Sequence, residues 1–128
     1  MIRKVLALCV AVVLLGGVAA YAHHSFEATY YRDRTLTIEG NLSQFMFRNP
    51  HSFIHLMVKD KDGQEQRWAV EWGGGGQLAR TGVTKDTLRV GDHVVLTVNP
   101  GRNPEDRRVL LVTLTRPIDG WKWGEKFD

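Results

Sequence analysis

The sequence predicts an all-β fold with little helix, a five-stranded barrel carrying one short helix between its third and fourth strands. Three observations predict it. Polar and apolar residues alternate with a period of two in several segments after residue 34. Strong turn signals separate those segments: Asn49-Pro50, Asp62-Gly63 and the stretch from Asn99 to Pro104. One stretch, Gln77 to Gly82, has the length and closing glycine of a short helix.

Residues 1–22 read as a signal peptide. Arg3 and Lys4 supply a positive start, Val5 to Ala20 carries no charge, and Ala20-Tyr21-Ala22 places small residues where a signal peptidase reads them. The expected cut falls before His23. An uncleaved membrane anchor is the competing reading, but Val5–Ala20 is shorter than the ~20 apolar residues of a spanning helix, and Gly16-Gly17 near its end weakens helix continuity. Cys9 follows Leu8 inside the apolar run, which argues against a lipoprotein. A periplasmic or secreted location follows, with membrane contact only through the signal segment if it is retained.

Removing 22 of 128 residues leaves 106, enough for one domain. The lone cysteine leaves too, so packing rather than a disulfide must hold the core. The 17 basic residues less Arg3 and Lys4 become 15 against 14 acidic ones. A net charge of +1 gives no strong nucleic-acid signal.

Residues 23–34 read as an irregular lead-in, 35–116 as the barrel domain and 117–128 as a tail. The first strand starts at Thr35, alternates through Leu42 and extends toward Phe47, with Gly40 at a bend or bulge. Proline lacks a ladder donor, so Asn49-Pro50 ends it. His51 to Val58 forms the second strand, and Asp62-Gly63 turns the chain into the third, Gln66 to Trp72. Gly73–Gly76 reads as a flexible connection to the helix; it lacks the lysine and Ser/Thr of a phosphate loop. Strand four runs from His93 to Val98 and strand five from Arg107 to Thr115. Three strands, a helix and two strands is the order of an OB-fold; an open β-sandwich is the competitor. Expected core positions are Leu36, Ile38, Ile54, Leu56, Val58, Trp68, Val70, Val95 and Leu110.

Side chains alternate across a strand, so the second strand has two unlike faces. Ile54, Leu56 and Val58 fill the barrel, which leaves His51, Phe53, His55 and Met57 outside. On the third strand Arg67, Ala69 and Glu71 face outward by the same logic. The outer face of strands two and three is where OB-folds commonly bind ligands. His51, His55 and Glu71 are therefore candidate metal ligands, and Phe53 and Arg67 candidate ligand-binding residues. A one-residue slip of register reverses these faces.

A processed chain beginning His23-His24 adds a primary amine beside an imidazole. Amine and ring can chelate one ion, with His24, His51 or His55 as a further ligand. A planar set of nitrogens favours Cu(II), which heads the divalent affinity order. This terminus resembles the histidine brace of secreted copper proteins and polysaccharide monooxygenases, matching it only at His23. Individually these side chains have plainer readings: a frayed terminus, a turn hydrogen bond for His51, a surface position for His55, a weak surface ion pair for Glu71. His93, at the start of strand four, reads as structural.

Ala22-His23-His24-Ser25-Phe26, Asn49-Pro50-His51-Ser52, Trp68-Ala69-Val70-Glu71, Leu78-Ala79-Arg80-Thr81-Gly82 and Gly91-Asp92 together resemble an uncharacterised family of small exported bacterial proteins. That resemblance implies export and one small domain, and no reaction. The expected function is non-enzymatic binding of a transition metal, copper first, for storage, delivery or sensing. The alternative is an OB-fold module for a polymer or a periplasmic partner protein, without metal. A metal-dependent oxidase or monooxygenase ranks last.

Overall fold

The computed structural model describes residues 1–7, 9 and 26–124. Its strands are β1 (Leu36–Met46), β2 (Phe53–Lys59), β3 (Glu65–Glu71), β4 (His93–Pro100), β5 (Arg108–Arg116) and β6 (Trp121–Trp123). Helix α1 (Gly75–Ala79) lies between β3 and β4. Neighbours along the sheet run β3-β2-β1-β4-β5-β6, and a parallel β3–β5 pairing closes β1 to β5 into a barrel. The five-stranded OB-like barrel with its helix after the third strand is thus the fold, and β6 is an added sixth strand on β5.

Alternation explains most of the interior. Ile54, Leu56 and Val70 are fully buried, as their parity requires, and they pack with Val94, Leu96, Val98, Val109 and Leu114. Leu36, Val58 and Trp68 pack only partly against this core. Two expected core residues are corrected. Val95 is half-buried while Val94, Leu96 and Val98 point inward, and Leu110 is half-buried between the buried Val109 and Leu111. In β5 the register steps from Thr97↔Thr113 to Val98↔Leu111, so Val112 is an extra residue and the inward parity changes there.

A second bulge falls at Ser43, where the β1–β2 pairing steps from Leu42↔Leu56 to Gln44↔His55. Gly40 serves a different need. A Cβ there would lie 2.0 Å from the Met57 carbonyl oxygen, so β1 can meet β2 only with glycine at this point.

The glycine run is not a loose connector. Gly74 and Gly75 are buried, and a Cβ on Gly74 would sit 2.5 Å from the Pro50 carbonyl oxygen. Gly75 already belongs to α1 and lies against Phe47. Small residues are required here because the helix packs against the backbone of the β1–β2 connection.

The lead-in is also structural. Tyr30 is 1% exposed, follows a helical turn at 26–29 and bridges Gly101. Tyr31 N–H to Pro100 O at 2.9 Å and Arg102 N–H to Thr29 O at 2.9 Å tie it to the β4–β5 connection. Among the described residues no helix is long and apolar enough to cross a membrane.

Candidate functional site

The site forms where β2 begins, β3 ends and the lead-in crosses both. Ser52 is fully buried, and its backbone exchanges hydrogen bonds with Gly73 O (3.0 Å) and Trp72 N (2.8 Å). This pairing carries the β2–β3 ladder one residue past Phe53↔Glu71 and sets His51 just beyond its end. His51 Nδ1 lies 2.5 Å from Glu71 Oε1. The carboxylate can only accept, so Nδ1 carries a proton and Nε2 is the nitrogen that faces away from Glu71.

Glu71 faces outward as strand parity predicts, yet it is 3% exposed because Tyr30 covers it. The Tyr30 hydroxyl and Arg108 Nη2, the latter at 2.7 Å, both donate to Oε2. Arg108 Nε donates in turn to the Tyr30 oxygen at 2.9 Å. Burial pushes the Glu71 carboxyl up, but the bonds from Tyr30 and Arg108 outweigh it and hold the group below the usual carboxylate value. Burial, reinforced by the Glu71 acceptor, holds the Tyr30 hydroxyl well above its ordinary value.

Phe26 stacks on the His51 ring with centroids 5.2 Å apart and on Tyr30 at 6.4 Å. These two lead-in rings sit four residues apart, one helical turn, and so share a face. His51 keeps 40% of its side chain exposed. It borders two clefts, one with Arg48, Phe53, Glu71 and Arg108, the other with Phe26, Trp72, Leu78 and Trp123.

The structure joins His51 to Glu71 but not to His55. His55 pairs with Ala69 and Gln44, further along β2, where burial, Arg67 and Arg48 all hold its imidazole below the ordinary value. Phe53 faces the His51 cleft, whereas Arg67 is exposed opposite Met57 and does not line it. The residues that complete the cluster, Tyr30 and Arg108, are not among those expected from sequence. His93 bonds Asn41 at 2.9 Å and Glu39 at 2.8 Å across β1, away from this site. His23 and His24 lie outside the described residues. Among the described residues, no three of His, Cys, Asp or Glu converge on a common point that could hold a metal.

Fold and site together define a small closed β-barrel whose lead-in, from Phe26 to Tyr30, roofs a carboxylate-anchored histidine. Residues 11–109 match the model of a family of unknown function, DUF6152, and the chain belongs to that family. No curated protein matches it.

Proposed function

We propose that this is an exported protein that binds a transition metal, copper first, with His51 Nε2 as one ligand and the processed His23 terminus supplying the others. The His51–Glu71 hydrogen bond supports this reading. A carboxylate on one ring nitrogen fixes the tautomer and orientation of a ligating histidine and raises the basicity of the other nitrogen. Glu71 is itself held by Tyr30 and Arg108, so the ring is anchored through two layers.

Phe26 stacks on His51, and His23 stands three residues before it in the sequence. At ~3.5 Å per residue the chain keeps His23 within about 10 Å of Phe26. Amine, His23 ring and His51 Nε2 make three nitrogen ligands, a set that suits Cu(II). The role is storage, delivery or sensing, with copper as cargo.

Copper titration of the exported, processed protein tests this, after mass spectrometry has fixed its first residue. A chain starting at His23 binds one copper tightly. One added residue displaces the amine from the ring, and affinity falls by at least about tenfold. Equal affinity in the two proteins removes the terminal amine from the site.

A further inference from the structure

The cleft on the Arg48 side of His51 carries an unbalanced charge. Its walls include two guanidiniums, Arg48 and Arg108, against one carboxylate, Glu71. That carboxylate is buried and spent: His51 takes one oxygen, and Tyr30 and Arg108 take the other. Among the described residues no carboxylate pairs with Arg48. Both guanidiniums lie over the same ring, with Arg48 Cζ 5.6 Å and Arg108 Cζ 5.3 Å from the Phe53 centroid. Two like charges therefore border one aromatic ring, and the cleft lining holds no exposed counter-charge.

The donors have directions as well as charge. Arg108 commits Nε to Tyr30 and Nη2 to Glu71, which holds the guanidinium in place and leaves Nη1 over. Arg48 commits only Nε, weakly, to His51 O at 3.4 Å, and among the described residues neither terminal nitrogen has a hydrogen-bond partner. Asn49 lines the same cleft with its Oδ1 turned to Gly76 N at 3.2 Å. Arginine forks match planar or tetrahedral oxyanions through paired N–H donors.

We propose that this cleft binds an oxyanion, the carboxylate or phosphate group of a small molecule, between Arg48 and Arg108 over Phe53. Burial first, then Arg67 from outside the cleft and Arg48 from within it, hold the nearby His55 imidazole below its ordinary value. Nothing in this inference requires a metal on His51, so it stands apart from the copper reading.

The test uses metal-free purified protein titrated with inorganic phosphate and, separately, with malonate, at ionic strength held constant by sodium chloride. Saturable shifts of backbone amide resonances at residues 48, 49, 51–53 and 108 are expected. Arg48→Ala lowers the affinity about tenfold, the worth of one charge-assisted contact. Arg48→Lys, which keeps the charge but not the fork, falls between the two. Arg67→Ala, on the same face but outside the cleft, changes affinity less than twofold. Preference for phosphate or malonate assigns the anion class. No saturation by either anion beyond the chloride control overturns the proposal, and so do equal losses in Arg48→Ala and Arg67→Ala, which would mark diffuse surface charge. Because no metal is present, these failures leave the copper reading untouched.

Discussion

Tyr30 and Glu71 stand 41 residues apart in the chain and share a buried hydrogen bond, the phenol donating to the carboxylate. The bond joins the lead-in to the end of β3. It makes the segment before the barrel part of the barrel's packing, and it hides an acid that would otherwise be a surface group. Tyr30→Phe deletes that donor and leaves Arg108 Nε without its acceptor. A loss of about 1–3 kcal/mol in chemical denaturation is expected. Unchanged stability would mean that the hydroxyl contributes nothing to the fold.

The same cluster sets a pH dependence. Glu71 has a folded-state pKa below its ordinary 4.5, so its contribution to stability is complete above that value. It is lost as pH falls from about 4.5 through the lower folded value. Glu71→Gln removes the difference, and the variant should lose less stability than the parent on acidification from pH 5 to pH 3. At neutral pH it should be less stable by about 2 kcal/mol, because the amide has one acceptor oxygen where the carboxylate has two, and its NH2 faces a donor on the other side. Parallel melting curves for the two proteins across this range would contradict the assignment.

Gly74 and Gly76 differ although they are neighbours in a run of four glycines. A Cβ on Gly74 meets Pro50 O at 2.5 Å and Asn49 Oδ1 at 2.9 Å, whereas one on Gly76 finds only Asn49 Oδ1 at 3.9 Å. Gly74→Ala should cost more than about 2 kcal/mol through the backbone shift it forces. Gly76→Ala, in an exposed helical position, should be neutral or stabilising by up to about 1 kcal/mol. Thermal melts of the pair distinguish a packed helix start from a loose linker, for which both would behave alike.

The barrel was legible because alternation in β1 to β3 survives single irregularities. Ile38, Ile54, Leu56 and Val70 are where period two puts them. Runs without polar markers were not legible. Val94-Val95 offers no local reason to choose one side, and Val109 to Val112 is apolar throughout, so only the bulge at Val112 settles which residues turn inward. The short β6 hid in a tail of turn residues, its Trp123 supported by long-range contacts with Trp72 and Thr81.

The site divided along the same line. His51 lies two residues before β2 and Glu71 at the end of β3, and hairpin parity brings them to one face. Arg108 arrives through the parallel β3–β5 pairing, Ala69↔Arg108, which no local pattern encodes. Tyr30 arrives through a lead-in without periodicity. Long-range closure, rather than residue type, determined what the sequence could not reveal.

The central claim is that His51 offers Nε2 to a metal while Glu71 holds Nδ1. It is tested most directly by copper titration of the processed protein beside its His51→Ala and His93→Ala variants. The account predicts at least about tenfold weaker binding for His51→Ala, the loss of one of three nitrogen ligands, and an unchanged affinity for His93→Ala, whose ring is occupied by Glu39 and Asn41. Equal copper affinity in all three proteins would contradict it.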